Sequence, residues 1–184
     1  KGAFSSATDI ISLHYSGCKF QNATVQCSIE DVVKANIELL SQDITAGTAK
    51  ITGATYADHT GVVPFYDSYI KKDTSTLERV TDWKFTIGNN LKQTPVIRNP
   101  NGNILKYLPY RYRDLTGELV FEFETKEEFD DIINDREFSL EFGLGGANKA
   151  VFSSCKWENT SAPTRIEELV NLKATFVAKT VTIS

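Results

Sequence analysis

The sequence predicts an all-β protein, a β-sandwich or barrel with one short helix on its flank. Apolar and polar residues alternate in segment after segment, only one segment reads as a helix, and part of the chain repeats itself at an offset of 137 residues.

The first alternating segment is 24–29 (TVQCSI), where every second side chain falls on one face of an extended backbone. Residues 83–87 (WKFTI), 118–123 (ELVFEF) and 138–142 (FSLEF) alternate in the same way, and 172–183 (LKATFVAKTVTI) is a long β-branched run. About eight strands are expected from such runs. Residues 143–146 (GLGG) read as a hairpin turn, since neither the Lys-Ser/Thr of a phosphate loop nor a βαβ unit accompanies them.

The helix is expected near 126–136. Thr125 and Glu128 have the spacing of a capping box, in which hydroxyl and carboxylate each satisfy an orphan N–H. Phe129, Ile132 and Ile133 then form a narrow apolar stripe, leaving Asp130, Asp131 and Asp135 to water. Acidic residues in the first turns suit the helix dipole, so they are read as solvating groups and not as metal ligands.

Residues 41–78 interrupt the pattern. Gly47, Gly53, Gly61 and Pro64 lie among many Thr, Asp and Ser residues with little periodicity. Excursions of that length tend to be functional or held by a partner. The interleaved Tyr56, Phe65, Tyr66 and Tyr69 argue against simple disorder, so the segment is expected to order against a neighbouring subunit, the alternative being a surface loop.

In the repeat, 15–22 (YSGCKFQN) lies over 152–159 (FSSCKWEN), and 29–33 (IEDVV) over 166–170 (IEELV). Identities fall on Ser16/Ser153, Cys18/Cys155, Lys19/Lys156, Asn22/Asn159, Ile29/Ile166, Glu30/Glu167 and Val33/Val170. The expectation is a single domain over 1–184 containing a duplicated β-unit, 15–44 and 152–181. The sequons at Asn22 and Asn159 coincide as well, but such triplets are common by accident and matter only in a secreted eukaryotic protein. Cys18, Cys27 and Cys155 fit no zinc or redox spacing and are read as free buried thiols in a reducing compartment.

Composition removes several function classes. A net charge of −4 with scattered Lys and Arg disfavours tight nucleic-acid binding, and no apolar run approaches the roughly 20 residues of a membrane helix. Two histidines, His14 and His59, and no visible acid–base pair or nucleophile leave no catalytic residue, metal site or cofactor site to assign. The cluster 108–114 (LPYRYRD) could touch phosphate and base, but Arg111 and Arg113 are read as pairing with carboxylates of an adjacent subunit.

Three segments together resemble the tail tube proteins of long-tailed viruses of archaea and bacteria. They are 80–91 (VTDWKFTIGNNL), with its Asn-Asn-Leu turn, 110–123 (YRYRDLTGELVFEF), a Thr-Gly strand before the single helix, and 152–157 (FSSCKW) with the C-terminal β-run. The resemblance implies a non-enzymatic virion protein of the viral tail, assembled in the host cytoplasm. It implies rings that stack into a tube with tape-measure and other tail proteins as partners, double-stranded DNA passing non-specifically through the lumen, and no membrane. Tyr56, Phe65, Tyr66, Tyr69, Arg111 and Arg113 are the candidate subunit-contact residues. The rival readings are a tail-terminator, baseplate or contractile-injection ring protein, and an immunoglobulin-like adhesion or carbohydrate-binding module.

Overall fold

A computed structural model describes residues 12–47, 61–95, 105–109, 111–122, 126–161 and 171–184. In chain order its strands are β1 Ser12–Ser16, β2 Lys19–Ser28, β3 Lys34–Leu40, β4 Asp43–Gly47, β5 Ser68–Lys72, β6 Ser75–Thr76, β7 Val80–Gly88, β8 Thr94–Pro95, β9 Leu105–Tyr107 and β10 Asp114–Glu122. After the helix α1, Glu127–Ile133, come β11 Phe138–Leu144, β12 Lys149–Ser161, β13 Asn171–Val177 and β14 Thr180–Ile183. The fold is all-β with one short helix.

The alternating segments lie in β2, β7, β10 and β11, and the C-terminal run is divided between β13 and β14. That run breaks because the chain changes layers there. The Ala178 N–H donates to Leu115 at 2.9 Å, and the next, of Lys179, to Ser153 at 3.2 Å. More strands form than alternation foretells. β6 and β8 are two residues long, too short to show a period, and β4 and β5 lie inside the excursion, where Ile70 is buried in the core.

One antiparallel sheet runs β3-β2-β7-β10-β13-β12-β11-β5-β6, with β14 also on β12. It curls on itself because β12 belongs to two layers. Ala150 to Ser153 pair with β14, and Ala150 to Phe152 also face β11, whereas Lys156 to Ser161 pair with β13. The bend falls at Ser154, whose φ of 52° is left-handed. Between the layers Phe85, Phe142, Phe152 and Phe176 are fully buried. The ring of Phe85 lies 5.1 Å from those of Phe142 and Phe152, and Phe152 lies 5.6 Å from Phe176. Each such side chain contributes about 1.5–3 kcal/mol by burial, and each ring pair a further ~0.5–1.5 kcal/mol. Gly117, in β10, makes room for this cluster, since a Cβ there would stand 2.4 Å from the Phe176 ring.

The helix corrects its expected orientation. It ends at Ile133, three residues before 136, and Asp135 turns the chain with φ 51°. Glu128 and Asp131 are buried and Ile133 is exposed. Two cations decide this. Lys72 of β5 donates to Asp131 and, at 2.8 Å, to Glu127, while Arg79 pairs with Glu128 at 2.5 Å. Burial pushes the Glu128 carboxyl up despite the Arg79 charge; in Lys72 burial pulls the other way, but its bonds to Asp131 and Glu127 win and raise it. An apolar stripe read from the helix alone cannot register cations supplied by other elements. Thr125 lies outside the described residues, and Lys126 at the N-cap makes no side-chain capping bond.

The offset of 137 also appears in the hydrogen-bond register. β2 pairs with β3 through Lys19↔Leu40, Phe20↔Leu39 and Asn22↔Glu38, and β12 pairs with β13 through Lys156↔Val177, Trp157↔Phe176 and Asn159↔Thr175. Both ladders slip at the same place, after Phe20 and after Trp157. β1 with β4 (Tyr15↔Ile44, Ser16↔Asp43) matches β12 with β14 (Phe152↔Val181, Ser153↔Thr180). Even the bend recurs, at Gly17 (φ 63°) and Ser154 (φ 52°). The 29–33 match has its second member, 166–170, outside the described residues.

Candidate interaction surface

The two β-units differ in what covers them. In the C-terminal unit the inward face of the bend is packed: Phe152 and Phe176 are 0% exposed, Ala150 and Ala174 are buried, and the Trp157 ring lies tilted against that of Phe138 at 4.7 Å. The corresponding residues of the N-terminal unit are Tyr15, Leu39, Leu13, Ile37 and Phe20. Tyr15 is 58% and Leu39 53% exposed, and the other three are exposed too, as is Ile44. Tyr15 and Ile44 are cross-strand partners, as are Phe20 with Leu39 and Ala23 with Ile37, so these side chains form one face on each ladder. That face continues the core side of the large sheet, where Val25 faces Phe85 and Cys27 faces Trp83 in register. An apolar face of this size on a monomer marks an interaction site.

The cysteines follow the same division. The Cys18 thiol donates to the Tyr15 carbonyl at 3.6 Å and that of Cys155 to the Phe152 carbonyl at 3.5 Å, the same local geometry. Cys155 is buried and its pKa is pushed up to about 12 by desolvation, whereas Cys18 is exposed, against the expectation that all three thiols are buried. Among the described residues no element packs over the Cys18 unit as β11 packs over that of Cys155. Cys27 is buried, and burial raises its pKa as well.

The residues singled out from the sequence fall into two groups. Phe65 and Tyr66 occupy a 3-10 turn, Phe65–Asp67, with their rings edge to face at 5.6 Å, and both are exposed. Phe65 borders a groove of about 320 Å³ lined also by Cys27, Ile29, Tyr69, Leu77 and Trp83. Tyr69, on β5, is half-buried and donates its hydroxyl to Glu141 at 2.7 Å, a bond that holds the Glu141 carboxyl low and raises the phenol. Its ring lies across Gly143, where a Cβ would come within 2.4 Å, so Tyr69 serves packing inside the chain. Tyr56 lies outside the described residues.

Arg111 and Arg113 form the second group, both exposed on the approach to β10, with Tyr112 between them 91% exposed. The Arg113 Nε donates to Asn89 Oδ1 at 3.1 Å, and Asn90 Nδ2 donates to the Tyr112 carbonyl at 2.9 Å and to Asp114 at 2.6 Å. The Asn-Asn-Leu turn therefore braces this segment. Leu91 donates its N–H to Gln21 Oε1 at 3.1 Å and Asn89 its amide to the Phe20 carbonyl, so the turn also fixes the bulge of β2. The sequence reading passed over Leu13, Phe20, Ile37, Leu39 and Ile44. The repeat was the signal for them, because it pairs the first four with core positions and Ile44 with Val181, which is packed against the core.

The family model described as phage tail tube protein matches residues 2–180. No curated protein matches the sequence significantly. Among solved structures, a chain of the native gene transfer agent virion is similar in fold, with a TM-score of 0.54 at 6% identity, covering 65% of this chain and 97% of that one. The tube-terminating cap of the anti-feeding prophage gives a TM-score of 0.48 at 13% identity, covering 74% and 99%.

Proposed function

The chain belongs to the phage tail tube protein family and so to the structural proteins of the virion tail, and from that premise we propose that it forms homo-oligomeric rings that stack into the tube around the genome. It works by assembly and not by catalysis. A curled sheet that ends on an uncovered apolar unit is the observation that carries this reading, since such a surface needs a neighbour and a closed ring supplies one to every copy. Tape-measure and other tail proteins are the further partners.

The outward face of the large sheet suits a lumen through which double-stranded DNA passes without sticking. Thr24, Thr86 and Thr116 lie side by side across β2, β7 and β10, with Thr24 and Thr86 hydroxyls 3.1 Å apart. On the same face Glu118 is cross-strand to Lys84 and pairs with Lys173 at 2.8 Å, while Glu38, Asp82 and Asp114 add negative charge. Arg111, Arg113, Phe65, Tyr66 and Tyr56 serve as contacts between subunits in this reading, and Tyr69 supports them from within.

Negative-stain electron microscopy of the purified protein tests the reading. Stacked rings are expected. Strictly monomeric protein at high concentration overturns it, and single rings that never stack would place the chain at the end of a tube instead.

A further inference from the structure

Period two places a lysine where the core takes an apolar side chain. Ile70 and Lys72 fall on the same face of β5 and both are buried, and Lys72 lies in register with Leu140 of β11 and Ser75 of β6. Its amine stands 5.4 Å from the centre of the Phe138 ring. The helix brings a carboxyl to meet it: Lys72 Nζ donates to Asp131 Oδ2, and the two side chains are each 5% exposed. Stability does not ask for such a pair, because apolar residues of similar volume commonly hold a core as well as two desolvated charges, or better. What the pair does offer is an amine and a carboxyl in direct contact, fixed by a strand paired on both sides and by a helix packed on β12. We propose that Lys72 and Asp131 condense, within the folded chain and without an external enzyme, into an amide between Nζ and Cγ that ties β5 to α1 covalently.

The surrounding groups suit each step. Glu127 Oε1 accepts from Lys72 Nζ at 2.8 Å, so it can take a proton and free the nitrogen lone pair. The lone pair attacks Asp131 Cγ and forms the C–N bond. Arg136 Nη1 donates to Asp131 Oδ1 at 3.4 Å, and Arg136 is itself held by Asp73 at 3.2 Å, so an anchored cation faces an oxygen on which negative charge builds. Oδ1 becomes the amide carbonyl oxygen. Oδ2, on the lysine side, leaves as water with the two protons that the ammonium gives up, one of them carried by Glu127. One ammonium and one carboxylate are consumed and one amide and one water are formed, so neither an oxidant nor an activated donor is needed. Glu127 is half-exposed, which gives the water a way out.

Fixed contact replaces chance encounter, and groups held in reacting geometry behave as though one partner were present at about 10⁵–10⁸ M. The product also removes two charges from an apolar place. Although burial favours the neutral amine, the bonds to Asp131 and Glu127 raise the pKa of Lys72. Free amine is therefore scarce, the condensation is slow, and the pair titrates as two charges until it has run.

Mass spectrometry of the full chain, freshly purified and after a week at physiological temperature, is the test. By the end the mass is expected to lie one water below that of the sequence, and proteolysis to release a joined peptide that carries both Lys72 and Asp131. Full mass throughout, or water lost only at other residues, overturns the proposal, and neither result depends on a variant that folds. Lys72→Arg keeps the charge and is expected to keep its full mass; a water loss that persists in it belongs to another site and counts against the amide. Glu127→Gln is expected to slow the loss by about a hundredfold. An unchanged rate refutes Glu127 as the proton carrier.

Discussion

Truncating one aromatic side chain in each β-unit separates what the repeat shares from what it does not. Phe152 and Tyr15 occupy equivalent positions on the inward face of equivalent strands, but Phe152 is wholly buried, within 5.1–5.6 Å of the rings of Phe85, Phe142 and Phe176, whereas Tyr15 is 58% exposed. Phe152→Ala removes a buried ring and leaves a cavity that the interlocked neighbours cannot fill, at a cost of about 3–5 kcal/mol. For a chain of this length that lowers the melting temperature by roughly 6–20 °C. Tyr15→Ala removes a ring that touches mostly water and should change stability by less than about 0.5 kcal/mol, or under ~2 °C. The assay is thermal or urea unfolding of protein kept dilute enough to remain monomeric, followed by the fluorescence of Trp83 and Trp157. Similar losses from the two substitutions would refute the reasoning, because Tyr15 would then be packed by its own chain and the N-terminal unit would not be an open surface.

Two further outcomes follow from the buried charges and the thiols. Lys72→Met leaves the buried Asp131 without its main partner and should cost about 3 kcal/mol at neutral pH, in the range for breaking a buried pair. Because the folded pKa of Lys72 is raised above its ordinary 10.5, its contribution is complete below that pH and is lost as pH rises through the raised value. The stability difference between the unmodified and Lys72→Met proteins should therefore be flat from near neutrality to about pH 10 and shrink above it; a difference that shrinks on acidification alone would contradict the assignment. At mildly alkaline pH a thiol reagent should label Cys18 rapidly in the folded monomer and reach Cys27 and Cys155 only on unfolding, since burial keeps the Cys155 thiol at a pKa of about 12 and raises that of Cys27. Rapid labelling of Cys155 would refute its placement in the core.

The all-β class, the flanking helix and the strands with a clean alternation were legible because each is written in local pattern. Trp83 and Phe85 point inward from β7 because period two puts them there. What stayed hidden depends on partners far away in the chain. Lys72 and Arg79 lie about fifty or more residues before the carboxylates they bury, so the helix face could not be read from 126–136 alone. β5 was concealed in a segment rich in turn residues, although it contributes Ile70 to the core. The aromatic residues of 41–78 were visible as aromatics but not as individuals: Tyr66 is exposed, while Tyr69 is committed to Glu141 and to the gap at Gly143. The Asn-Asn-Leu turn carried the resemblance, and the structure gives it a job, since Asn89 and Leu91 hold the bulge of β2 and Asn90 holds the start of β10.

The repeat bears on assembly through an asymmetry of physical roles. In the C-terminal unit the apolar side chains need no explanation beyond the monomer: Phe152, Trp157 and Phe176 are the core, and the fold depends on them. In the N-terminal unit the same positions are exposed, so polar residues there would leave the monomer as stable and make it more soluble. Large apolar side chains beside an open strand edge carry a standing risk of indiscriminate pairing. Monomer stability therefore gives no reason for Leu13, Tyr15, Phe20, Ile37, Leu39 and Ile44 to be apolar, and they become intelligible only in a state where something covers them. The proposed ring would provide such a state for every copy at once. The chain thus resembles a sandwich whose last portion of core lies on its surface, and covering that portion would contribute to the driving force of the proposed assembly.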